Sequence, residues 1–336
     1  MSRAWHRPSA IGGPSEYPVP GTFCLLTGVP GTEFADGSSA PTGGARHVRD
    51  QSDGRDAMTA SYRDELAEFL RARREAVRPE QVGLPRGATR RRTPGLRREE
   101  VAMLAGVSLT WYTWLEQGRR INASDDVLRA IARALRLDEA GTEHLLALAQ
   151  PPGTAPESLV EAPQEAPSAL VRLITSLEPA PAYVLGPRWE FLAWNAAEER
   201  LYPQLATLEP PERNLLWVLF CDPSTRDLIV DWDIHARQAL AEFRAGAAAL
   251  RGDPAFHQLV DTISTASPDF ARWWAEHEVT AFETRIRRFR HPHAGELTFE
   301  YQQLAPVEWP GLRVVVQLPV PGDDSAQRLA VKRWLV

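Results

Sequence analysis

The sequence predicts a multidomain protein in which an all-α domain of five short helices precedes an α+β domain with an antiparallel sheet. Three observations support this fold class. Apolar residues recur at helical spacing in residues 58–150, five prolines crowd residues 151–167, and helical and strand patterns alternate in residues 168–336. The proline-rich segment is typical of an interdomain linker.

Residues 96–118, LRREEVAMLAGVSLTWYTWLEQG, predict two helices joined by a tight turn. The first helix has an apolar face at i, i+3 and i+4 spacing, formed by Val101, Leu104 and Ala105. Gly106 ends this helix, because glycine readily adopts the left-handed conformation, and Ser108 is a typical N-cap of the second helix. The residues expected to pack the two helices together are Ala102, Tyr112 and Leu115. This pattern indicates a helix-turn-helix unit.

Three further helices are predicted around this unit, and together the five can bury a core over residues 59–150. The upstream helix is indicated by Leu66, Phe69, Leu70 and Val77. The helix that follows the unit is capped by Ser124 and indicated by Leu128, Ile131, Ala132 and Leu135. The last helix is indicated by Leu145, Leu146 and Ala149.

The segment TPGLRREEVAMLAGVSLTWYTWLEQGRRINAS resembles the XRE/Cro-type helix-turn-helix domain, in the MmyB-like branch of actinobacterial regulators. The resemblance covers residues 62–150 and implies that the second helix of the pair enters the major groove of double-stranded DNA. It implies contacts to bases from the residues at and after the helix cap: Ser108, Leu109, Thr110, Thr113 and Trp114. The two threonines can bond base edges, whereas Trp114, like Trp111, could equally serve helix packing.

Arginines surround this unit and suggest phosphate contacts. Arg97 and Arg98 open the first helix of the pair, and Arg119 and Arg120 follow the second. The preceding loop carries a run of three that could follow the phosphates or enter the minor groove: Arg90, Arg91 and Arg92. Each arginine alone could be a solvated surface charge. The grouping favours phosphate binding, since the net charge is +3 for residues 58–150 and −8 for residues 151–336.

Composition excludes several other classes. The chain has a net charge of −6, and its two cysteines, Cys24 and Cys221, are far apart, which argues against a disulfide framework or a zinc site. No run of 18 apolar residues indicates a membrane span. Residues 1–57 contain nine glycines and six prolines without helical periodicity, which predicts a disordered tail. Met58, just before the first helix, is an alternative start.

The second domain is expected to contain a helix, two strands, several helices, three strands and a last helix. The predicted strands are Ala182–Leu185, Trp189–Trp194, Thr284–Arg290, Leu297–Leu304 and Leu312–Leu318. The predicted helices are Ser168–Leu177, Asn195–Leu201, Ser224–Arg251, Asp253–Ser264 and Ser267–His277. Residues 168–332 resemble the PAS-like ligand-binding domain of the MmyB-like family, through the segments AYVLGPRWEFLAWNAA, SPDFARWWAEHEV, FRHPHAGELTFEYQQL and PGLRVVVQLPVPG. The resemblance implies a sensor of a small amphipathic, fatty-acid-like molecule.

Aromatic and polar side chains of this domain are candidates for contacting such a ligand. The candidates are Tyr183, Trp194, Asn195, His235, Arg237, Phe243, Phe270, Trp273 and Trp274. The aromatic residues could equally fill a core, and Asn195 could be a helix N-cap. Arg237 could hold a ligand carboxylate, or it could form a salt bridge with Asp231, Asp233 or Glu242. Arg272 and His277 are further candidates.

No nucleophile-and-base motif, P-loop or dinucleotide fingerprint is present, so we expect no enzyme and no cofactor. Asp231, Asp233 and His235 lie close in sequence, but solvated or helix-capping roles are better interpretations than a metal site. His291 and His293 flank a proline and are interpreted as residues of a surface turn. The sequence therefore predicts a cytoplasmic, nucleoid-associated DNA-binding regulator, dimeric by family resemblance, with a sensory second domain. The alternative is that the second domain serves only dimerisation or protein interaction.

Overall fold

The computed structural model describes residues 63–85, 95–150, 163 and 165–331. The predicted tail 1–57, the alternative start at Met58 and most of the predicted linker 151–167 lie outside the described residues. The loop arginines 90–92 lie outside them as well.

The described part of the first domain contains the five predicted helices. They are α1 (63–76), α2 (Arg98–Ala105), α3 (Leu109–Glu116), α4 (Asp125–Ala134) and α5 (Glu139–Ala149). The α4 N-terminus is capped as predicted, because Ser124 Oγ accepts a hydrogen bond from Val127 N at 3.4 Å. Asp138 caps α5 in the same way, accepting from Gly141 N at 2.8 Å.

One apolar core joins these helices, and most of the predicted core residues lie in it. The fully buried members are Phe69, Leu70, Leu96, Val101, Tyr112, Ile131, Leu145 and Leu148. One expectation was wrong, since Leu104 is 38% exposed, whereas Val101 and Ala102 are buried as predicted. The small Ala102 side chain lies on the buried side, which allows the close approach of α2 and α3 that was expected.

The second domain is an α+β domain with a five-stranded antiparallel sheet. Its strands are β1 (Ala182–Leu185), β2 (Phe191–Trp194), β3 (Arg285–His291), β4 (Gly295–Leu304) and β5 (Arg313–Pro319). Its helices are α6 (Ser168–Ser176), α7 (Ala196–Leu201), α8 (Leu215–Phe220), α9 (Pro223–Leu228), α10 (Trp232–Ala247), α11 (Pro254–Ala266), α12 (Pro268–Trp274) and α13 (Ser325–Ala330). The strand order in the sheet is β2-β1-β5-β4-β3.

The two faces of the sheet are covered differently, as the period of two in a strand requires. On β5, Val314 and Val316 face a small apolar cluster under α6, whereas Val315 faces the main core. That main core fills the space between the sheet and helices α7–α12. The ligand candidates predicted from the sequence lie in or beside it.

The predicted helix Ser224–Arg251 is interrupted in the structure, which corrects the sequence-based expectation. Asp231 adopts a left-handed conformation with φ 57°, so that α9 and α10 are separate helices. The α8 helix was not expected, since its sequence LLWVLF is apolar throughout and shows no helical period.

Candidate functional site

The turn between α2 and α3 has the geometry that the sequence predicts. Gly106 has a φ of 69°, and the backbone N–H of Val107 donates to the carbonyl of Ala102 at 2.9 Å. Ser108 Oγ accepts a hydrogen bond from Trp111 N at 3.1 Å, which caps the first turn of α3. The side chain of Ser108 therefore stabilises the start of the helix.

The proposed base-contacting residues lie along one side of α3. Tyr112 and Leu115 are buried against the core, whereas Leu109 is 47% exposed and Trp114 is 40% exposed. Thr110 is exposed and Thr113 is half-buried. Residues 109, 110, 113 and 114 share a helical face by their spacing. This face offers hydroxyls and apolar surface, which suit base edges and thymine methyl groups.

The two tryptophans of α3 have different surroundings. Trp111 is half-buried and packs against the domain core, which agrees with the packing alternative for that residue. Trp114 is exposed, and the guanidinium carbon of Arg119 lies 5.7 Å from its ring centroid. This cation–π contact holds the positive charge of Arg119 beside the exposed face of α3.

Arg97 and Arg98 differ in how firmly they are held. Arg97 N donates to Glu100 at 2.7 Å, and its half-exposed guanidinium lies 3.2 Å from Glu99. Arg98 instead donates to Glu116 at 3.0 Å. Glu116 is fully buried at the end of α3, so this hydrogen bond of Arg98 stabilises the packing of α2 against α3.

The role of Glu116 was not predicted from the sequence. It accepts a bidentate pair of hydrogen bonds from the buried Arg74 of α1, at 2.8 Å and 2.7 Å. Arg74 also donates to the carbonyl of Leu96 at 2.9 Å. The α3 helix is thereby fixed to α1 and to the start of the helix-turn-helix unit.

In the second domain, most of the predicted ligand-contacting aromatic residues fill the core. Phe270 stacks on Trp274 with an interplanar angle of 8°, and Phe243 packs against Phe256 at a centroid distance of 5.8 Å. Trp273 packs against Trp232 at 5.7 Å. Such contacts stabilise an apolar core without any ligand, which agrees with the alternative interpretation.

Tyr183, Asn195 and Trp194 also have partners within the protein. The hydroxyl of Tyr183 is 3.0 Å from that of Tyr301. Asn195 caps α7 by accepting from Glu198 N, and its amide donates to the carbonyls of Ile174 and Ala180. The side chain of Asn195 therefore serves the predicted N-cap. Trp194 Nε1 donates to Glu199 at 3.2 Å.

Arg237 forms ion pairs, although with partners that differ from those expected. It pairs with Glu276 and Glu278 rather than with Asp231, Asp233 or Glu242, because the loop after α12 lies over α10. Burial lowers the pKa of His235 to about 4, so this imidazole is neutral near pH 7. The structure does not bring these two residues together with Asn195 in one site.

Two further candidates have contacts of their own. Arg272 pairs with Asp269 at 2.7 Å, and the Nδ1 of His277 is 3.2 Å from Arg244. Asp231, from the DWDIH segment, pairs with Arg288 at 2.6 Å and does not cap α10 through its side chain. Among the described residues, no three potential metal ligands cluster.

A cavity of about 670 Å³ lies elsewhere in the second domain, between β2, the loop before α8, α8 and α11. Its apolar lining is formed by Phe191, Leu192, Pro210, Pro211, Trp217, Ala255 and Leu259. Its polar lining is formed by Glu165, Arg188, Glu190, Arg213, Asn214, Gln258 and Thr262. None of the ligand candidates predicted from the sequence lines this cavity, because it is assembled from segments distant in the chain.

Two partly exposed arginines give this cavity a cationic component. Arg213 donates through Nε and Nη2 to the carbonyl of Leu208, and its guanidinium carbon lies 5.6 Å from the Trp194 ring centroid. Arg188 pairs with Asp253 and lies 3.3 Å from Glu190. Apolar walls with a few charged groups are the usual composition of a small-molecule site, and the volume falls in the usual range.

A buried polar cluster lies beneath the sheet, close to the core. Arg287 is almost fully buried, with its guanidinium carbon 4.4 Å from the Tyr301 ring centroid. Burial raises the pKa of Glu198 to about 8, although Gln317 donates to its carboxyl at 2.9 Å and the charge of Arg287 acts in the opposite direction. Glu198 is therefore largely protonated near neutral pH.

None of the described helices is long and apolar enough to cross a bilayer. Comparison with family models identifies two regions. Residues 65–145 match a helix-turn-helix domain, and residues 166–331 match the MmyB-like transcription regulator ligand binding domain. No curated protein matches the chain. These two matches lie in the order expected from the sequence, and together they show that the chain belongs to the MmyB-like transcription regulators.

Proposed function

We propose that this regulator binds specific double-stranded DNA sequences through α3 and senses a small amphipathic, fatty-acid-like ligand with its second domain. The observation that carries the sensory part is the cavity of about 670 Å³, because it combines apolar walls with Arg188 and Arg213. A ligand carboxylate would pair with the guanidinium of Arg213, because that of Arg188 already pairs with Asp253 and Glu190, and an acyl chain fits the apolar lining. We also propose that it acts in the cytoplasm on the nucleoid as a homodimer.

The DNA-binding part of the proposal is supported by the exposed face of α3. Leu109 and Trp114 are exposed, and Thr110 lies beside them, so this face offers both apolar surface and a hydroxyl to a base edge. The positive charges of Arg97 and Arg119 lie near the two ends of the helix pair. In a dimer, two such faces would read half-sites about 34 Å apart.

One experiment tests both parts. Purified full-length protein selects genomic DNA fragments in the presence and absence of dodecanoate, with dodecanol as the uncharged control. We expect one shared sequence motif to be enriched and dodecanoate to change its retention. Recovery of random fragments would contradict sequence-specific binding.

A cavity variant separates the ligand site from general stability effects. Gln258→Trp places a large side chain in the cavity, and Thr265→Trp changes an exposed residue of the same helix that does not line it. We expect dodecanoate to raise the Tm of the wild type and of Thr265→Trp, but not of Gln258→Trp. A rise of equal size in all three proteins would exclude this cavity as the ligand site.

A further inference from the structure

The two domains are in direct contact, and all described residues belong to one compact unit. We call this contact the seam. It is formed by α1 and α5 of the first domain and by residues 244–251 and 277–279 of the second. Ala248 of the second domain is buried in the apolar core of the first, and Val279 packs against the same core. The seam is thus partly a shared core.

Arg251 makes hydrogen bonds across the seam. Its Nη1 donates to the carbonyl of Leu148 at 3.0 Å, and its Nη2 donates to the carbonyl of Ala147. These carbonyls lie in the last turn of α5, where helical carbonyls lack partners within the helix. A guanidinium is a favourable partner there because its charge also complements the helix dipole. Arg251 therefore acts as a C-terminal cap supplied by the other domain.

Charges of opposite sign interact across the seam. Glu65 of α1 interacts electrostatically with Arg251 and Arg244, and Glu68 with Arg244. The acidic residues belong to the first domain and the arginines to the second. The attraction across the seam therefore depends on where residues 244–251 are held.

The turn that carries Arg251 leads directly into α11, whose first turn lines the cavity through Ala255. Asp253, two residues later, caps α11 by accepting from Ala255 N at 3.0 Å. Asp253 also pairs with Arg188, which lines the cavity together with Ala255. His257 Nε2 lies 2.7 Å from the carbonyl of Arg251 and ties the turn to α11. One short turn therefore connects residues that line the cavity, Arg188 and Ala255, with the DNA-binding domain.

We propose that Arg251 is a positioning residue that couples occupancy of the cavity to the placement of the DNA-binding domain. This coupling rests on the proposed sensory function. A molecule that fills the cavity displaces the first turn of α11 and moves Arg251 relative to the carbonyls of α5. Occupancy then changes the population of the docked arrangement, because the occupant has unequal affinity for the two arrangements.

A double-mutant cycle in the full-length chain tests the coupling without requiring the natural ligand. Gln258→Trp places a large side chain at the cavity, and Arg251→Gln removes the guanidinium. The measurement is hydrogen–deuterium exchange of the backbone amides in residues 143–150. We expect Gln258→Trp to change their exchange rates at least about 3-fold in the wild type and by less than about 1.5-fold in the Arg251→Gln background, as coupled sites require.

Controls distinguish coupling from a general loss of stability. Thr265→Trp and Arg226→Gln change exposed residues away from the cavity and the seam, and we expect both to leave exchange in α5 unchanged. Arg251→Lys keeps the charge with a different donor geometry and serves if Arg251→Gln does not fold. Equal effects of Gln258→Trp with and without Arg251, or no effect in either background, would overturn the proposal.

Adding dodecanoate to the same exchange measurement distinguishes a failure of the coupling from a failure of the proposed ligand class. If Gln258→Trp acts through Arg251 while dodecanoate neither binds nor alters exchange in α5, the ligand class is wrong and the coupling stands. If dodecanoate binds in the cavity but alters exchange in α5 equally with and without Arg251, the proposed ligand-sensing function is supported. The proposed role of Arg251 in the coupling is then contradicted.

Discussion

Arg74 and Glu116 form a buried bidentate ion pair that joins α1 to the end of α3. Both hydrogen bonds are short, at 2.8 Å and 2.7 Å, and both side chains are almost fully buried. Arg98 bonds to the same carboxylate from the start of α2. The orientation of α3 within the domain thus depends on a fully buried carboxylate.

Removing one partner of this pair should destabilise the DNA-binding domain rather than remove a contact with DNA. We expect Glu116→Gln or Arg74→Met to lower the free energy of unfolding by about 3 to 5 kcal/mol, because the remaining charge is left buried without its partner. Urea denaturation measures the change. Glu75→Gln removes a more exposed partner of Arg74 and should cost less than about 1 kcal/mol. Equal costs for the two glutamates would contradict this assignment.

Arg97 should contribute to DNA affinity without contributing to sequence preference. If its guanidinium contacts one phosphate, Arg97→Ala will weaken binding to specific and random duplexes alike and reduce the slope of log K against log salt by about 0.9. Arg97→Ala with Arg98→Ala should reduce it further. Fluorescence anisotropy titrations at several salt concentrations measure this slope, and an unchanged slope in the double variant would exclude both arginines from phosphate contacts.

Thr110 should contribute to sequence preference without contributing to the salt dependence of binding. We expect Thr110→Ala to relax the preference at one or two base pairs, at a cost of about 1 to 3 kcal/mol for the preferred sequence, with the salt slope unchanged. Thr142→Ala is a matched control, since Thr142 is half-buried in α5 and bonds the carbonyl of Asp138. Competition assays with single-base-pair variants of the selected DNA measure the preference. An unchanged preference would show that Thr110 does not read bases.

Local signals in the sequence were sufficient to predict much of the fold. The caps at Ser108 and Ser124 and the left-handed turn at Gly106 depend on a few neighbouring residues, and the structure confirms them. The left-handed conformation at Asp231 was not predictable in this way, because the sequence around it is continuously compatible with a helix. Tertiary packing determines that break.

The candidate ligand site was less predictable than the fold. Aromatic side chains suggested a pocket, but Phe243, Phe270 and Trp274 pack against one another in the core. The cavity depends instead on Arg213, Trp217 and other residues from four separate segments, whose proximity is a tertiary property. The bidentate partner of Arg74 was missed for the same reason, since Glu116 is 42 residues away in the chain.

Glu198 should make the stability of the second domain depend on pH. Its pKa is raised by burial to about 8, so between about pH 4.5 and 8 the folded state keeps a proton that the unfolded state releases. The free energy of unfolding therefore falls as the pH rises through this window, by up to about 1.4 kcal/mol per pH unit from this group. We expect Glu198→Gln to lose this part of the slope in urea titrations. An identical slope in wild type and variant would contradict the raised pKa.

His144 should make the seam sensitive to acid. Its imidazole is buried between the domains and packs edge-on against Phe69 at 5.1 Å. Burial lowers its pKa to about 3, and the positive charges of Arg244 and Arg251 and the nearby His277 act in the same direction, while a backbone hydrogen bond with Ala245 opposes them.

The sign of this pH effect follows from the lowered pKa. Below about pH 6.5 the unfolded chain protonates His144 and the folded chain does not, so stability is lost as the pH falls toward 3. We expect His144→Leu to remove part of this loss, at most about 1.4 kcal/mol per pH unit, in urea titrations between pH 7 and pH 4.5. Arg226→Gln should retain the wild-type slope. Acid loss of the same size in His144→Leu would show that the imidazole does not titrate with unfolding.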